Sequence, residues 1–483
     1  MDDYNNLIHE IPMRTACVSM DDENAMEERK MYAIKEEGLS DQPSCAVHLG
    51  EAIRIKTISN PDYRLTDFYP FEKFLEFLKM TYPKVHEVCQ VEVVNHYSAI
   101  FHWKSSAQEG KPVLLTAHYD VVPVEKSSIN SWDQEPFSGK IIEGFIYGRG
   151  TLDDKNQVIA IMEALEDRIG KGLMPRRNIY IAFGFDEEVG GEKGAKAIAS
   201  LFKEKNLQFE FVLDEGGAVI EGIVDGMDIP IALIGVAEKG SSNIRMITNG
   251  DGGHSSMPTK NSAIGKLSKI INNIEKNPMP AKLTLPVERM FKLMAPHMGK
   301  TNILLSHAKL IFPLLNRTLS KSQTMNSMIR TTISFTMTGS GEAENILPRT
   351  AWANANVRIL PGDTLDDIMD HMRKVNKGID FEMKVMNREE GSGVSPYDSE
   401  NYRRIEKKIK QVFEGVEVMP YLMAGSTDSR KYSDLCDNIY RFSAVKMNQA
   451  DLDSIHGVNE RISVENLQHM VLFYKKLLDD FLQ

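Results

Sequence analysis

Three short apolar runs in this 483-residue chain each end in ionisable side chains. Val113–Ala117 stops at His118 and Asp120, Asn178–Phe185 at Asp186, Glu187 and Glu188, and Phe209–Leu213 at Asp214 and Glu215. Asp153 and Asp154 stand in GRGTLDDK, and His456 lies far downstream in HGVNE. Carboxylates gathered within a few ångströms of each other cannot all stay ionised without compensating charge. Divalent cations supply it better than protons, and a mixture of imidazole and carboxylate donors suits zinc, with cobalt or manganese as alternatives. A pair of zinc ions would be balanced by three ligating carboxylates and a hydroxide, beside two neutral imidazoles. Two acids would then be left for other work. One can orient an imidazole by accepting its second N–H, and the other can move a proton between water and a leaving amine.

The elements that must position these residues alternate between strand and helix. Between the first two runs, Val158, Ile161, Met162 and Leu165 recur at helical spacing. Asp153 or Asp154 sits where an N-cap belongs and Gly170 where a helix stops. This predicts an α/β fold with a mainly parallel sheet and flanking helices, in which ligands bind beyond the carboxyl ends of the strands. The middle of the chain changes character. A strand at 242–250 precedes a helix with Ile264, Leu267, Ile270, Ile271 and Ile274 on one face. Strands at 331–339 and 351–360, a helix at 364–375 and a strand at 380–386 follow. The order β-α-β-β-α-β is that of an inserted ferredoxin-like domain. The expected division is an N-terminal extension over 1–45 (helical around Ala25–Ile34), a catalytic domain over 46–239 and 393–483, and the insert over 240–392. Residues 277–330 carry no motif.

Composition narrows the function. Lys and Arg number 57 against 68 Asp and Glu, a net charge of −11. That balance repels phosphate backbones and anionic lipid, and argues against nucleic-acid and membrane partners. Cys17, Cys45, Cys89 and Cys436 are too few and too scattered for a disulfide framework, so reduced thiols and a cytoplasmic location are expected. Residues 1–30 have no basic-then-apolar leader pattern, and no apolar run approaches the roughly 18–20 residues of a membrane span.

Eight motifs occur in order: TAHYDVVPV, WDQEPFSGKIIEGFIYGRGTLDDK, FDEEVGGEKGA, LDEGG, GGHSSMP, NILPRTAWANANVRILPGD, GSTDSR and HGVNE. Together they resemble the zinc peptidase family of carboxypeptidase S, glutamate carboxypeptidase, aminoacylase and succinyl-diaminopimelate desuccinylase, nearest to the carboxypeptidase S and N-acyl-amino-acid hydrolase branch. The resemblance implies two zinc ions, His118 and Glu215 on one, Glu188 and His456 on the other, and Asp153 bridging both. Asp214 remains an alternative to Glu215. It further implies Asp120 as the orienting acid and Glu187 as general base and acid. His254 would stabilise the oxyanion, often from a partner subunit, Arg358 and Asn345 would hold the substrate's carboxylate or adjacent oxygen, and Gly425 would form part of the pocket wall. The implied activity is hydrolysis of an amide next to a free-carboxylate amino acid, in a peptide or in an N-acyl amino acid. A homodimer through the lid is the implied assembly. Asn156 and Lys431 depart from residues frequent in relatives, Gly and His, at positions that bear on substrate choice. An intact Glu187 argues against a non-catalytic relative, which has no need of a proton shuttle.

Overall fold

A computed structural model describes residues 42–483 apart from 108, 225 and 300–304. The helix expected around Ala25–Ile34 lies outside the described residues, as does Cys17. In chain order the first strands are β1 (Gln90–Val94), β2 (Ser98–Trp103), β3 (Val113–His118), β4 (Ile179–Gly184), β5 (Val212–Asp214) and β6 (Ile231–Glu238). The insert supplies β7 (Gly240–Asn249), β8 (Gly253–His254), β9 (Thr332–Ser340), β10 (Ile346–Leu347), β11 (Thr350–Ile359) and β12 (Glu382–Glu389). The chain then returns with β13 (Glu417–Met423) and β14 (Ile439–Arg441).

The main sheet runs β1-β2-β4-β3-β5-β14-β6 and is extended by two short strands, with β13 also on β6. Strands β3, β4 and β5 are parallel, as is β14 to β5. All six residues of β3 are buried, as befits a strand covered on both faces. Helices α1 (Ser44–Arg54) and α2 (Lys155–Gly170) lie on one side with the C-terminal helix, and α3 (Ala195–Glu204) lies on the other. Adjacent residues separate accordingly. Leu115 and Ile181 pack with Ile159 of α2, whereas Leu114 and Ala182 pack with Ile198 and Phe202 of α3. The third apolar run differs from expectation: Phe209 and Phe211 are buried, but pairing as a named strand begins only at Val212. At the start of α2, Asp154 occupies the N-cap position and its side chain makes no cap bond. It is engaged elsewhere.

The insert forms an antiparallel sheet in the order β9-β11-β7-β12. Two helices cover one face, α4 (Ala263–Lys276) and a later helix over Leu365–Val375. Ser262 caps α4 by accepting from the Gly265 N–H, and a Thr364/Asp367 capping box starts the later one. Of the expected apolar face, Leu267, Ile270 and Ile274 are buried, while Ile264 is 50% exposed. Residues 277–330, which carried no motif, form α5 (Leu285–Met294), α6 (Phe312–Leu319) and α7 (Gln323–Ile329). Met290, Phe291, Met294 and Met328 from this stretch pack on Met419 and Leu422 of β13. They cover one face of β6 and β13, with Ile231, Leu233 and Ala237 of β6 in the same cluster.

Candidate metal centre

Because β3, β4 and β5 are parallel, their carboxyl ends deliver His118, the 186–188 turn and Asp214–Glu215 to one side of the sheet. His118 is buried. Its Nε2 lies 2.9 Å from Asp153 Oδ1 and 3.6 Å from Glu215 Oε1. The other oxygen of Asp153 faces the second imidazole, with Oδ2 3.1 Å from His456 Nε2. Glu188 approaches that same Nε2 at 3.1 Å. Asp153 thus stands between two imidazoles, with one further carboxylate beside each. Donor atoms of His118, Asp153 and Glu188 all lie within 4.8 Å of one another, as do those of His118, Asp154 and Glu215.

The electrostatics show what this arrangement needs. Burial and the Asp153 charge push Glu215 up to about 7. Hydrogen bonds to Asp153 and Glu188 push His456 up to about 10. Protons are thus drawn into a cluster of oxygens that face one another, and a dication supplies the same compensation with more charge. Two imidazoles and several carboxylates in this geometry fit a divalent metal centre.

The supporting contacts explain why the ligand atoms meet. Asp120 accepts from the backbone N–H of Glu187 and of Glu188, each at 3.1 Å, and from Ser59 Oγ at 2.7 Å. One oxygen lies 3.3 Å from His118 Nδ1. One carboxylate therefore sets the turn that presents both glutamates and fixes the ring beside it. Asp214 is turned away: its Oδ2 accepts from the Ser429 N–H at 2.8 Å, on the turn after β13. Of the adjacent pair, Glu215 faces His118.

Sequence reasoning missed two acids. Asp154, grouped with Asp153 and offered as a helix cap but given no role at the centre, is buried with Oδ2 3.3 Å from the His118 backbone N–H and Oδ1 without a hydrogen-bond partner. Glu460 is buried too. It accepts from the Gly150 and Leu152 N–H groups at 2.9 Å each and from Arg149 at 2.5 Å, while Arg149 donates to the Gly457 carbonyl. This carboxylate ties the loop before Asp153 to the loop after His456. His456 itself is held at φ 58°, a left-handed conformation uncommon outside glycine. The visible signal was the closing Glu of HGVNE. Glu460→Gln puts an amide N–H₂ against those donors and is expected to weaken metal binding about 10–100-fold, measured by competition with a chromogenic chelator. Glu460→Asp, which restores the charge, should recover part of the loss.

The lid residues stand apart from this cluster. His254 is exposed on β8, with Nδ1 2.8 Å from Ser256 Oγ. The Asn345 carbonyl accepts from the Ser255 N–H at 3.0 Å, so His254 and Asn345 lie together at the paired β8 and β10. Arg358 is half-buried on β11, opposite Ser241 of β7. Its charge, after burial, helps lower Lys239 to about 8. Gly425 is exposed in the loop after β13. Among the described residues no hydrogen bond or ion pair joins His254, Asn345 or Arg358 to His118, Asp153, Glu188, Glu215 or His456.

Residues 114–480 match the model of peptidase family M20/M25/M40. The chain is 38% identical over 443 residues to probable carboxypeptidase S-like 2 of Dictyostelium discoideum, spanning 90% of this chain and 84% of that protein. It is also 38% identical over 434 residues to the N-fatty-acyl-amino acid synthase/hydrolase PM20D1 of Xenopus tropicalis, spanning 89% and 84%. The M20 family metallo-carboxypeptidase Sso-CP2 of Sulfolobus solfataricus shares the fold at a TM-score of 0.67 and 18% identity, over 90% of this chain and 99% of that one.

Proposed function

The chain belongs to peptidase family M20/M25/M40, and from that premise we propose a two-zinc enzyme that hydrolyses the amide next to a free-carboxylate amino acid, acting on di- or short peptides. The observation that carries it is Asp153, with one oxygen toward His118 and the other toward His456. His118 and Glu215 would hold one ion, and Glu188 and His456 the other. The chemistry such ions would supply when bound is polarisation of the scissile carbonyl and a lowered pKa of water. Glu187 takes the water's proton and returns it to the departing nitrogen. Asp120 fixes His118 and the turn carrying Glu187. The Arg358 guanidinium, planar and bidentate, suits the substrate carboxylate, with Asn345 on an adjacent oxygen and Gly425 in the pocket wall. His254 donates to the oxyanion, and the proposed working unit is a homodimer joined through the lid, in which His254 comes from the partner subunit.

A second reading, hydrolysis of N-acyl amino acids, is favoured by the likeness to a protein named for N-fatty-acyl-amino acids. Either substrate has the same carboxylate and the same amide. Cys45, Cys89 and Cys436 are buried and free, which suits a cytoplasmic enzyme. Among the described residues no helix is long and apolar enough to cross a membrane.

Zinc- or cobalt-loaded protein should cleave dipeptides, or else N-acetyl and long-chain N-acyl amino acids, and chelation should abolish turnover reversibly. Metal should also raise the unfolding temperature, because it binds the folded ligand set and not the dispersed one. Two ions per chain with no cleavage anywhere in the panel would refute the substrate class. Absence of bound metal would refute the centre itself.

A further inference from the structure

The net charge of −11 hides a local reversal. Between Glu288 and Glu342 the chain carries seven Lys and Arg and no Asp or Glu. Part of that stretch stands out from the molecule on α6 and the turn before it. Exposed positions 310, 313, 314, 317 and 321 repeat at helical spacing. They present Leu310, 81% exposed, and Leu314, 70% exposed, next to Arg317 and Lys321. Lys309, also exposed, lies 3.9 Å from Glu288, which already pairs with Lys292 at 2.8 Å. One acid is thus shared between two lysines, and the face stays positive.

The helix is held firmly from beneath. Phe312, Leu315 and Leu319 pack on the Met-rich cluster over β13. Buried Arg330 donates to Asn316 at 3.0 Å and to Ser320 at 2.7 Å, pinning the carboxyl end of α6. The outward leucines are therefore fixed on a supported helix.

We propose that this face docks on an anionic lipid surface, with Leu310 and Leu314 entering the acyl boundary and Lys309, Arg317 and Lys321 lying among the headgroups. Charge complementarity carries the choice of partner: projecting apolar side chains flanked by cations, with no acid among them, are the pattern of interfacial helices. Leu310 and Leu314 are 81% and 70% exposed, and an acyl boundary that deforms around them would take both without a matching pocket. The cytoplasmic leaflet offers the required negative charge. The inference is independent of which amide is cut, since it uses no residue of the metal centre or of the substrate site.

The test is co-sedimentation of the full chain with phosphatidylcholine vesicles, with and without phosphatidylserine. Binding is expected only with phosphatidylserine. R317E/K321E should lower the partition coefficient at least about thirtyfold, the worth of two basic residues near such a surface, and L310D/L314D should lower it too. Hydrolysis of a soluble short-chain substrate should be unchanged in both variants. No binding to anionic vesicles, or equal binding by R317E/K321E, would overturn the proposal. Binding retained by L310D/L314D would mean charge attraction without insertion and would overturn it as well. A smaller assembly for L310D/L314D in light scattering without lipid would assign the face to a second copy of the chain.

Discussion

Glu187→Gln is expected to lower kcat about 10²–10⁴-fold, the usual contribution of a positioned proton shuttle, while two metal ions stay bound. The backbone of Glu187 is fixed by Asp120, whose Oδ1 accepts its N–H at 3.1 Å, and an amide side chain leaves that bond intact. Removal from water is the largest cause raising the Glu187 carboxyl well above its ordinary range, and the charges of Glu215, Asp428 and Glu188 add to it against the opposing pull of His118. A carboxylate whose proton affinity is raised in this way takes a proton more readily from water and can still pass it on. Glutamine keeps the shape and cannot carry the proton. The discriminating measurement pairs kcat and KM with metal content by elemental analysis. Loss of turnover with KM and metal unchanged supports the shuttle. Loss of metal would make Glu187 a ligand, and retained turnover would remove it from the reaction.

The sequence made the strand ends legible because three apolar runs each stop at acids or histidine, and parallel strands must share an end. It could not choose between Asp214 and Glu215. Both follow the same strand, and the decision rests on the Ser429 N–H, which comes from a turn more than two hundred residues later and claims Asp214. Ser59 on Asp120 and Glu460 on the Gly150–Leu152 amides are similarly remote pairings, without a spacing that could announce them. Residues 277–330 were opaque for another reason. They cover one face of the sheet through Met and Leu side chains, and such packing tolerates many sequences. The lid motif GGHSSMP was legible as a motif. Where His254 stands relative to Arg358 became visible only with the strand register.

That register carries the second large prediction: His254→Ala and Glu187→Gln chains, each nearly inactive by itself, should recover about one quarter of wild-type activity when co-expressed, the random-pairing value for a two-fold dimer. Arg358 lies opposite Ser241, and the pairing runs on to Thr350 opposite Asn249. Eight residues at about 3.3 Å each put about 26 Å between those ends of the sheet. His254, paired with Ile346 on the hairpin that continues outward, lies farther still. The carboxylate and scissile carbonyl of one amino acid are only a few bonds apart. With Arg358 on the substrate carboxylate and His254 on the oxyanion, as proposed, a single lid does not bring both to one substrate, and the proposal takes the oxyanion donor from the other chain. In a mixed dimer, the site built on the His254→Ala chain has its own Glu187 and receives His254 from the Glu187→Gln chain, so it is complete. The opposite site lacks both. Half of the dimers are mixed and half of their sites work, which gives the quarter. Each homodimer loses the oxyanion donor or the proton shuttle, worth about 10²–10³-fold for the donor, so the recovered signal stands far above background. Activity that stays at the homodimer level, with mixed dimers verified by differential tags, would mean that His254 acts within its own chain and that the lid must bend to bring it there.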